Sequence, residues 1–456
     1  MSDTIQERTS VSDRFERSAW FREARFGLFI HFGGYTIMQD EAWWRSMERV
    51  SIDDYQHAID GFQPENFDPV KWADDAARAG MRYAVMVAKH HEGFCLFDSK
   101  LTEYSTMHNG YGRDLVREFL DAFRARGIKV GIYYSLLDWH HPDYPVYEDE
   151  HHPHRGDPAW ADHRPDFTRY LEYMHGQVEE LVTGYGDLHI FWFDFSYGDM
   201  VGETWRAKEL LEMVRRHQPD ILINNRLETS GGGFGSIVEA EPLPWAGDWV
   251  SPEQLIPADG IRNVLGEPVP WEACFTHNNN WGYFRGDNAF KSSRTLVRKL
   301  VEVVSKGGNM LLNVGPQPDG AFPVESVRTL SEVGEWLEVN GESIYGADAA
   351  GIPKPEWGYY TRRGNTLYAH VLEGPIGPLA LTGVDKSLVL SARLLATGAA
   401  IAPVDIWLTD PYPDTFFVSF GENPQFTYDL PDHIDTVIAI ELREHDAAGD
   451  SGVVSR

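Results

Sequence analysis

Residues 188–194 read LHIFWFD, and Phe195 extends the run before the chain turns polar in SYGD. From Ile190 to Phe193 no polar residue interrupts, which is the pattern of a strand buried on both faces of a parallel sheet. The run then ends on an acid. A carboxylate among buried aromatics gives up hydration at a cost on the order of several kcal/mol unless a partner offsets it. Asp194 therefore needs a reason to be there.

Similar runs recur at FGLFIHF (26–32), YAVMVAK (83–89), KVGIYYS (129–135), ILINN (221–225) and MLLNV (310–314). Amphipathic helical patterns lie between them, among them RDLVREFLDAFRARG and TLVRKLVEVVSKGG, which end on Gly127 and Gly307 where a C-cap is expected. Repeated strand–helix units predict an α/β domain, and their number predicts a (β/α)8-like barrel of the TIM type. No glycine-rich fingerprint follows the first strand, which argues against a dinucleotide fold. Strands are hard to place between 227 and 305, so an irregular barrel is expected. After about 345 the texture becomes short alternating stretches (TLYAHVL, SLVLSARLL, VDIWLTD, FFVSF, TVIAIELR) separated by turn residues, which predicts an antiparallel β-sandwich. The expected domains are 1–345, the catalytic barrel, and 346–456, the sandwich with a frayed tail.

The totals limit the function. Lys+Arg of 40 against Asp+Glu of 70 gives 40 − 70 = −30, a charge that repels phosphate backbones and anionic lipid. A nucleic-acid or membrane partner is not expected. The two cysteines, Cys95 and Cys274, make no disulfide framework. The opening MSDTIQERTS has neither the basic start nor the apolar core of a signal peptide, so the expectation is a cytoplasmic protein.

In barrels of this kind the chemistry gathers where strands end. The ends here carry His31; Lys89-His90-His91-Glu92; Tyr133-Tyr134-Ser135 and Asp138; Asp194; and Asn224-Asn225-Arg226. A lone histidine is more often a satisfied core residue. Five polar strand ends in succession point instead to one polar pocket. Trp43, Trp44, Trp139, Trp192, Trp249, Trp271 and Trp281 are available to wall it or to fill the core, and those in loops, Trp43, Trp44 and Trp281, are the better platform candidates. Such a pocket suits a sugar ring, with its apolar faces and polar equator. Adjacent histidines on a strand point to opposite faces, so His90-His91 is a poor chelate unless the strand has ended. No metal and no organic cofactor is expected. The segment HHPDYPVYEDEHHPHRGDP reads as an excursion over the barrel mouth.

WFREARFGLFIHFGGYT, KHHEGFCLFDS, GIYYSLLDWHHPDY, FWFDF, NNR, PWEACFTHNNNWGY and LLNVGPQPDG occur in this order. Together, over about residues 19 to 346, they resemble the α-L-fucosidases of glycoside hydrolase family twenty-nine. The resemblance implies a barrel with a β-sandwich behind it and exo-acting, retaining hydrolysis of terminal α-L-fucosides. It implies Asp194 as nucleophile, kept ionised by Arg226, and Glu253 in GDWVSPEQ as acid/base. Glu239, Glu241 and Glu272 compete for the acid/base role, and Glu272 reads better as a supporting strand residue. The same correspondence puts His31, His90, His91, Tyr134, Glu41 and Trp43 or Trp44 at the fucosyl hydroxyls, with Trp192 and Trp281 flanking the ring. Two departures stand out. Phe32 replaces a usual tryptophan and is expected to alter stacking beside the ring. Phe195 replaces a usual glycine and is expected to narrow the leaving-group side. A fucose-binding protein on a decayed enzyme scaffold, a metal-dependent hydrolase and an enzyme for α-L-galactosides are the alternatives. Assembly into a homo-oligomer stays open.

Overall fold

The computed structural model describes residues 11–38 and 43–443. Two compact units divide the chain: Met1–Ser293 with Gly307–Glu335, and Arg294–Lys306 with Trp336–Arg456. A boundary drawn at 345 from texture alone differs from this division, because the helix pattern around 294–306 belongs with the second unit. The tail beyond 443 lies outside the described residues.

The first unit holds β1 (Phe26–Ile30), β2 (Tyr83–Lys89), β3 (Lys129–Ser135), β4 (Ile190–Asp194), β5 (Leu222–Ile223), β6 (Glu272–Thr276) and β7 (Asn309–Val314). They form one seven-stranded parallel sheet in the order β5-β4-β3-β2-β1-β7-β6. Apart from Lys129, every residue in these strands is buried, as the unbroken apolar runs require. The weakly patterned stretch between 227 and 305 contains β6 and an irregular segment beside it. There, isolated parallel bridges join Asn224 to Trp249, Val250 to Trp271 and Glu253 to Cys274. Pro252 has no N–H to give a ladder, which keeps this segment from becoming a regular strand.

The helices start where the sequence supplies caps. Asp68, Asp114 and Asp166 accept the amides of Lys71, Arg117 and Thr168 at the starts of Pro69–Arg78, Leu115–Arg124 and Phe167–Gly184. Gly127 takes φ 70°, the left-handed conformation expected after such a helix.

Alternate strand residues converge on one core: Phe29, Val85, Val87, Tyr133, Ile190, Trp192, Leu222, Cys274 and Leu311. Register sets which side chains share the site face. Tyr133 lies opposite Trp192, and Ser135 opposite Asp194. Below them Glu272 accepts the Tyr83 hydroxyl at 2.5 Å and the Trp192 indole N–H at 3.3 Å. Gly27 makes room for this, since a Cβ there would meet the Tyr83 ring at 2.3 Å.

In the second unit β8 (Asp348–Ala349), β9 (Gly358–Arg363), β10 (Thr366–Val371), β12 (Val389–Leu394) and β14 (Thr436–Leu442) make an antiparallel sheet, and β11 (Leu379–Asp385) pairs with β13 (Thr415–Val418). Residues of both sheets share one buried cluster. VDIWLTD, expected to be a strand, is a turn instead, because Thr409 caps the Ile406 amide at 3.0 Å and bonds back to its carbonyl.

Gly27→Ala should force the Tyr83 ring aside and cost about 1–3 kcal/mol in urea denaturation, the range for overpacking a core. Unchanged stability would mean that the Tyr83–Glu272–Trp192 stack can slide.

Candidate active site

The strand ends enclose a cavity of about 330 Å³, a size suited to a small ligand. Phe29, His31, His90, Tyr133, Trp192 and Trp281 line it, together with Asp194, Arg226 and Glu253.

Arg226 organises the acids. It follows β5 and is 2 % exposed. Its Nη1 donates to Asp194 Oδ1 at 2.8 Å, and its Nη2 to Glu253 Oε2 at 3.1 Å. Two more bonds, Nε to Ser251 Oγ at 2.9 Å and Nη2 to the Ser251 carbonyl at 3.0 Å, lock its plane. The guanidinium also lies 4.8 Å above the Trp192 ring. Burial opposes its charge, but Asp194 and then Glu253 outweigh this and raise its pKa. Gly231 packs so closely that an added Cβ would lie 2.6 Å from Glu253 Cβ and 2.8 Å from the guanidinium.

Asp194 is pushed up to about 6, first by burial, against which Arg226 pulls it down while the Glu253 charge raises it. Tyr133 donates to its other oxygen at 2.9 Å. Glu253 is more open, with 35 % of its side chain exposed. One carboxylate is thus encased and hydrogen-bonded, and the other faces the opening. Both precede a non-glycine residue in the left-handed region: Phe195 has φ 73° and Gln254 φ 52°. Each such residue costs on the order of 1–2 kcal/mol.

His31 is neutral, because burial holds it down to about 3 against the pull of Asn313. Asn313 uses its amide N–H on the Trp281 carbonyl at 2.7 Å, so its oxygen accepts from His31 Nδ1, also at 2.7 Å. The Nε2 lone pair of His31 is left as an acceptor for a hydroxyl.

Of the residues expected from sequence, Asp194, Glu253, His31, His90, Trp43, Trp192, Arg226 and Trp281 meet at this cavity. His91 does not line it; its ring stacks on Trp139 at 4.0 Å and packs against Trp43 at 4.7 Å. Tyr134 is not a wall residue either. Its hydroxyl bonds Gln177 at 2.8 Å, and its neighbour Tyr133 faces the cavity instead. Strand alternation causes this one-residue slip, since both faces of β3 are buried and the sequence does not mark which is inward. Glu41 and the Trp44 side chain lie outside the described residues. Glu239 and Glu241 are exposed and absent from the wall, and Glu272 is sealed beneath Trp192. Phe32 is also away from the ring site: it is fully buried against Phe62 and Trp72. Tyr133 is among the strand-end residues that the sequence points to, whereas Glu150, His151 and Tyr197 are wall residues that it did not single out. The histidine-rich excursion was the signal for Glu150 and His151.

Among the described residues, His90, His91 and Glu92 bring donor atoms within 4.8 Å of one another and could hold a cation. The strand ends at Lys89, so the two histidines are free to converge. Burial, chiefly, raises Glu92 to about 8 and holds His90 and His91 well down, which favours neutral groups there.

Two carboxylates sharing one guanidinium, in a cavity walled by aromatic rings and neutral imidazole, fit the acid pair and ring platform that glycoside cleavage uses. The family model described as Alpha-L-fucosidase matches residues 2–342. The plasma alpha-L-fucosidase of Homo sapiens is 31% identical over 357 residues, covering 73% of this chain and 70% of that protein. Alpha-L-fucosidase isoenzyme 1 from Paenibacillus thiaminolyticus superposes with TM-score 0.91 at 52% identity, covering 94% of this chain and 100% of that one. An alpha-L-fucosidase GH29 from Bacteroides thetaiotaomicron, solved as a trapped covalent intermediate with 2-fluoro-fucosyl fluoride, gives TM-score 0.76 at 31% identity over 94% of this chain and 96% of that one. The chain belongs to the α-L-fucosidase family of glycoside hydrolases.

Asp194 is an anion only above its raised pKa, so if the reaction uses that anion kcat/KM should fall as pH drops through about 6. Arg226 lowers that pKa, so Arg226→Met should move the acid limb of the residual activity to higher pH. A pH–rate profile checks both, and an unmoved limb would detach Arg226 from Asp194 ionisation.

Proposed function

We propose that the protein is an exo-acting, retaining α-L-fucosidase that removes terminal α-L-fucosyl groups by double displacement, with Asp194 as nucleophile and Glu253 as acid/base. The observation that carries this is the single guanidinium of Arg226 bonded to both carboxylates inside the cavity. The trapped covalent intermediate of the Bacteroides relative supports a glycosyl-enzyme route. In the same reading the parallel sheet and its bridged segment form an irregular (β/α)8-like barrel, and the C-terminal sheets a sandwich.

In the first step an Asp194 oxygen attacks the anomeric carbon as the bond to the leaving oxygen breaks, and Glu253 gives that oxygen its proton. In the second, Glu253 takes a proton from water, the water oxygen attacks the same carbon, and the bond to Asp194 breaks. Charge stays balanced around Arg226 throughout. The first step calls for one negative charge on Asp194 and a proton on Glu253. Once Asp194 is an ester, the charge sits on Glu253 and the guanidinium still has one anionic partner. Tyr133 and Arg226 hold the attacking carboxylate in line, so little reorganisation is needed at the transition state. His31 accepts a fucosyl hydroxyl through Nε2, and Trp192 and Trp281 meet the ring and the methyl group.

Asp194→Ala should abolish release of fucose from an aryl α-L-fucoside. Glu253→Ala should form the glycosyl-enzyme from that activated substrate and regain turnover with azide. Azide rescue of Asp194→Gly with formation of the inverted fucosyl azide, and of Glu253→Ala with the retained one, is the expected signature; the opposite stereochemistry would reverse the two roles.

The chemistry assigned here runs through two carboxyl groups, so exhaustive treatment with EDTA should leave the rate unchanged. Loss of activity with recovery on adding one divalent metal would instead give the His90-His91-Glu92 trio a working ion.

A further inference from the structure

Asn313 lies one residue from the end of β7, is 1 % exposed, and sits between β1 and β6, opposite Phe29 on one side and Thr276 on the other. The ladder uses its backbone, and its side chain is spent elsewhere. One amide group reaches two residues on separate segments: His31, just after β1, and Trp281, in the loop that follows β6. Asn313 does not line the cavity, but both of its partners do.

The orientation of this amide follows from what each partner can do. A backbone carbonyl can only accept, so the group facing the Trp281 carbonyl is the amide N–H and the group facing His31 is the amide oxygen. That oxygen also can only accept, so the proton of the His31 ring sits on Nδ1. Burial keeps the ring uncharged, which leaves Nε2 bare. The Trp281 segment is packed onto the same strand end, since a Cβ on Gly315 would lie 2.7 Å from the Gly282 carbonyl carbon and 2.9 Å from the Trp281 oxygen. Lys291 stiffens the start of that loop by donating to the Thr276 and Asn278 carbonyls at 2.6 and 2.7 Å. The His31 and Trp281 rings then stand 4.9 Å apart.

We propose that Asn313 is a specificity-determining positioning residue: its single amide makes His31 an obligate hydrogen-bond acceptor and fixes Trp281 beside it. The inference deepens the fucosidase reading above and rests on it. A ring nitrogen that only accepts selects a sugar position bearing a hydroxyl, whose O–H donates to it. Fluorine or an ether oxygen at that position sets lone pair against lone pair and leaves a buried nitrogen unpaired. Without the amide both tautomers of His31 are open, and the ring can turn an N–H towards the same group.

The test uses an aryl α-L-fucoside and its 2-, 3- and 4-deoxyfluoro analogues, with kcat/KM for aryl release as the readout. Each fluorine penalty is compared between variant and wild type, so that the intrinsic effect of fluorine on the sugar cancels. Asn313→Leu removes both bonds at similar volume; it should lower kcat/KM on the parent fucoside about tenfold and shrink the penalty at one ring position only. Gly315→Ala displaces Trp281 but leaves the amide on His31, so it should raise KM and keep all three penalties. Histidine-selective 15N NMR, with His31 assigned by its loss in His31→Gln, should show the proton on Nδ1 in the wild type and both tautomers in Asn313→Leu. A wild-type His31 protonated on Nε2, which no variant needs to fold to reveal, would overturn the proposal. So would penalties in Asn313→Leu that stay as in the wild type or shrink equally at all three positions. Wild-type turnover of the parent fucoside alongside any of these results leaves the fucosidase reading standing, whereas no turnover overturns both.

Discussion

A buried cation between two acids is the constraint on which this site depends. Arg226 is inaccessible to solvent, so its charge must be matched inside the protein, and the matching groups are the carboxylates of Asp194 and Glu253. The guanidinium pulls the Asp194 pKa down against burial and against the charge of Glu253. The bonds to Ser251 matter for the same reason, since a guanidinium free to swing would follow whichever acid was ionised.

The layers beneath serve that arrangement. Trp192 is held on one side by Glu272 and carries Arg226 on its face. Glu272 in turn takes the Tyr83 hydroxyl, and Tyr83 fits only because residue 27 is glycine. A carboxyl group buried this way is raised to about 7, chiefly by desolvation, with Tyr83 and Trp192 pulling it back. It supports the floor and does not line the cavity. The line from Gly27 to Arg226 is a chain of direct contacts from the sheet to the chemistry.

Much of this was legible in the sequence. Continuous apolar runs mark six of the seven parallel strands, because a sheet covered on both faces needs no polar alternation. That same property hid the phase of β3: with Tyr133 and Tyr134 both buried, nothing in the letters says that the first faces Asp194 and the second Gln177. Glu253 was identified through a resemblance and not through strand pattern, since its segment is held by single bridges. The aromatic wall at Tyr197 and His151 was least legible, because the two lie far apart in the chain and outside its regular elements, and come together through a ring contact and shared bonds to Asp149. Phe195 was visible as a departure from glycine, but only its φ shows that the departure carries strain.

The two acids are held by very different scaffolds. Asp194 ends a strand clamped into a ladder, with Ser135 as its partner. Glu253 rests on a segment joined to its neighbours by isolated bridges at Trp249, Val250 and Glu253 and by single backbone bonds, among them Glu253 N–H to the Gly231 carbonyl at 3.2 Å and Gln254 N–H to the Cys274 carbonyl at 2.9 Å. A change of length in that segment would shift Glu253 while Asp194 stayed fixed by its ladder, so the spacing of the two carboxyl groups can be tuned from one side alone.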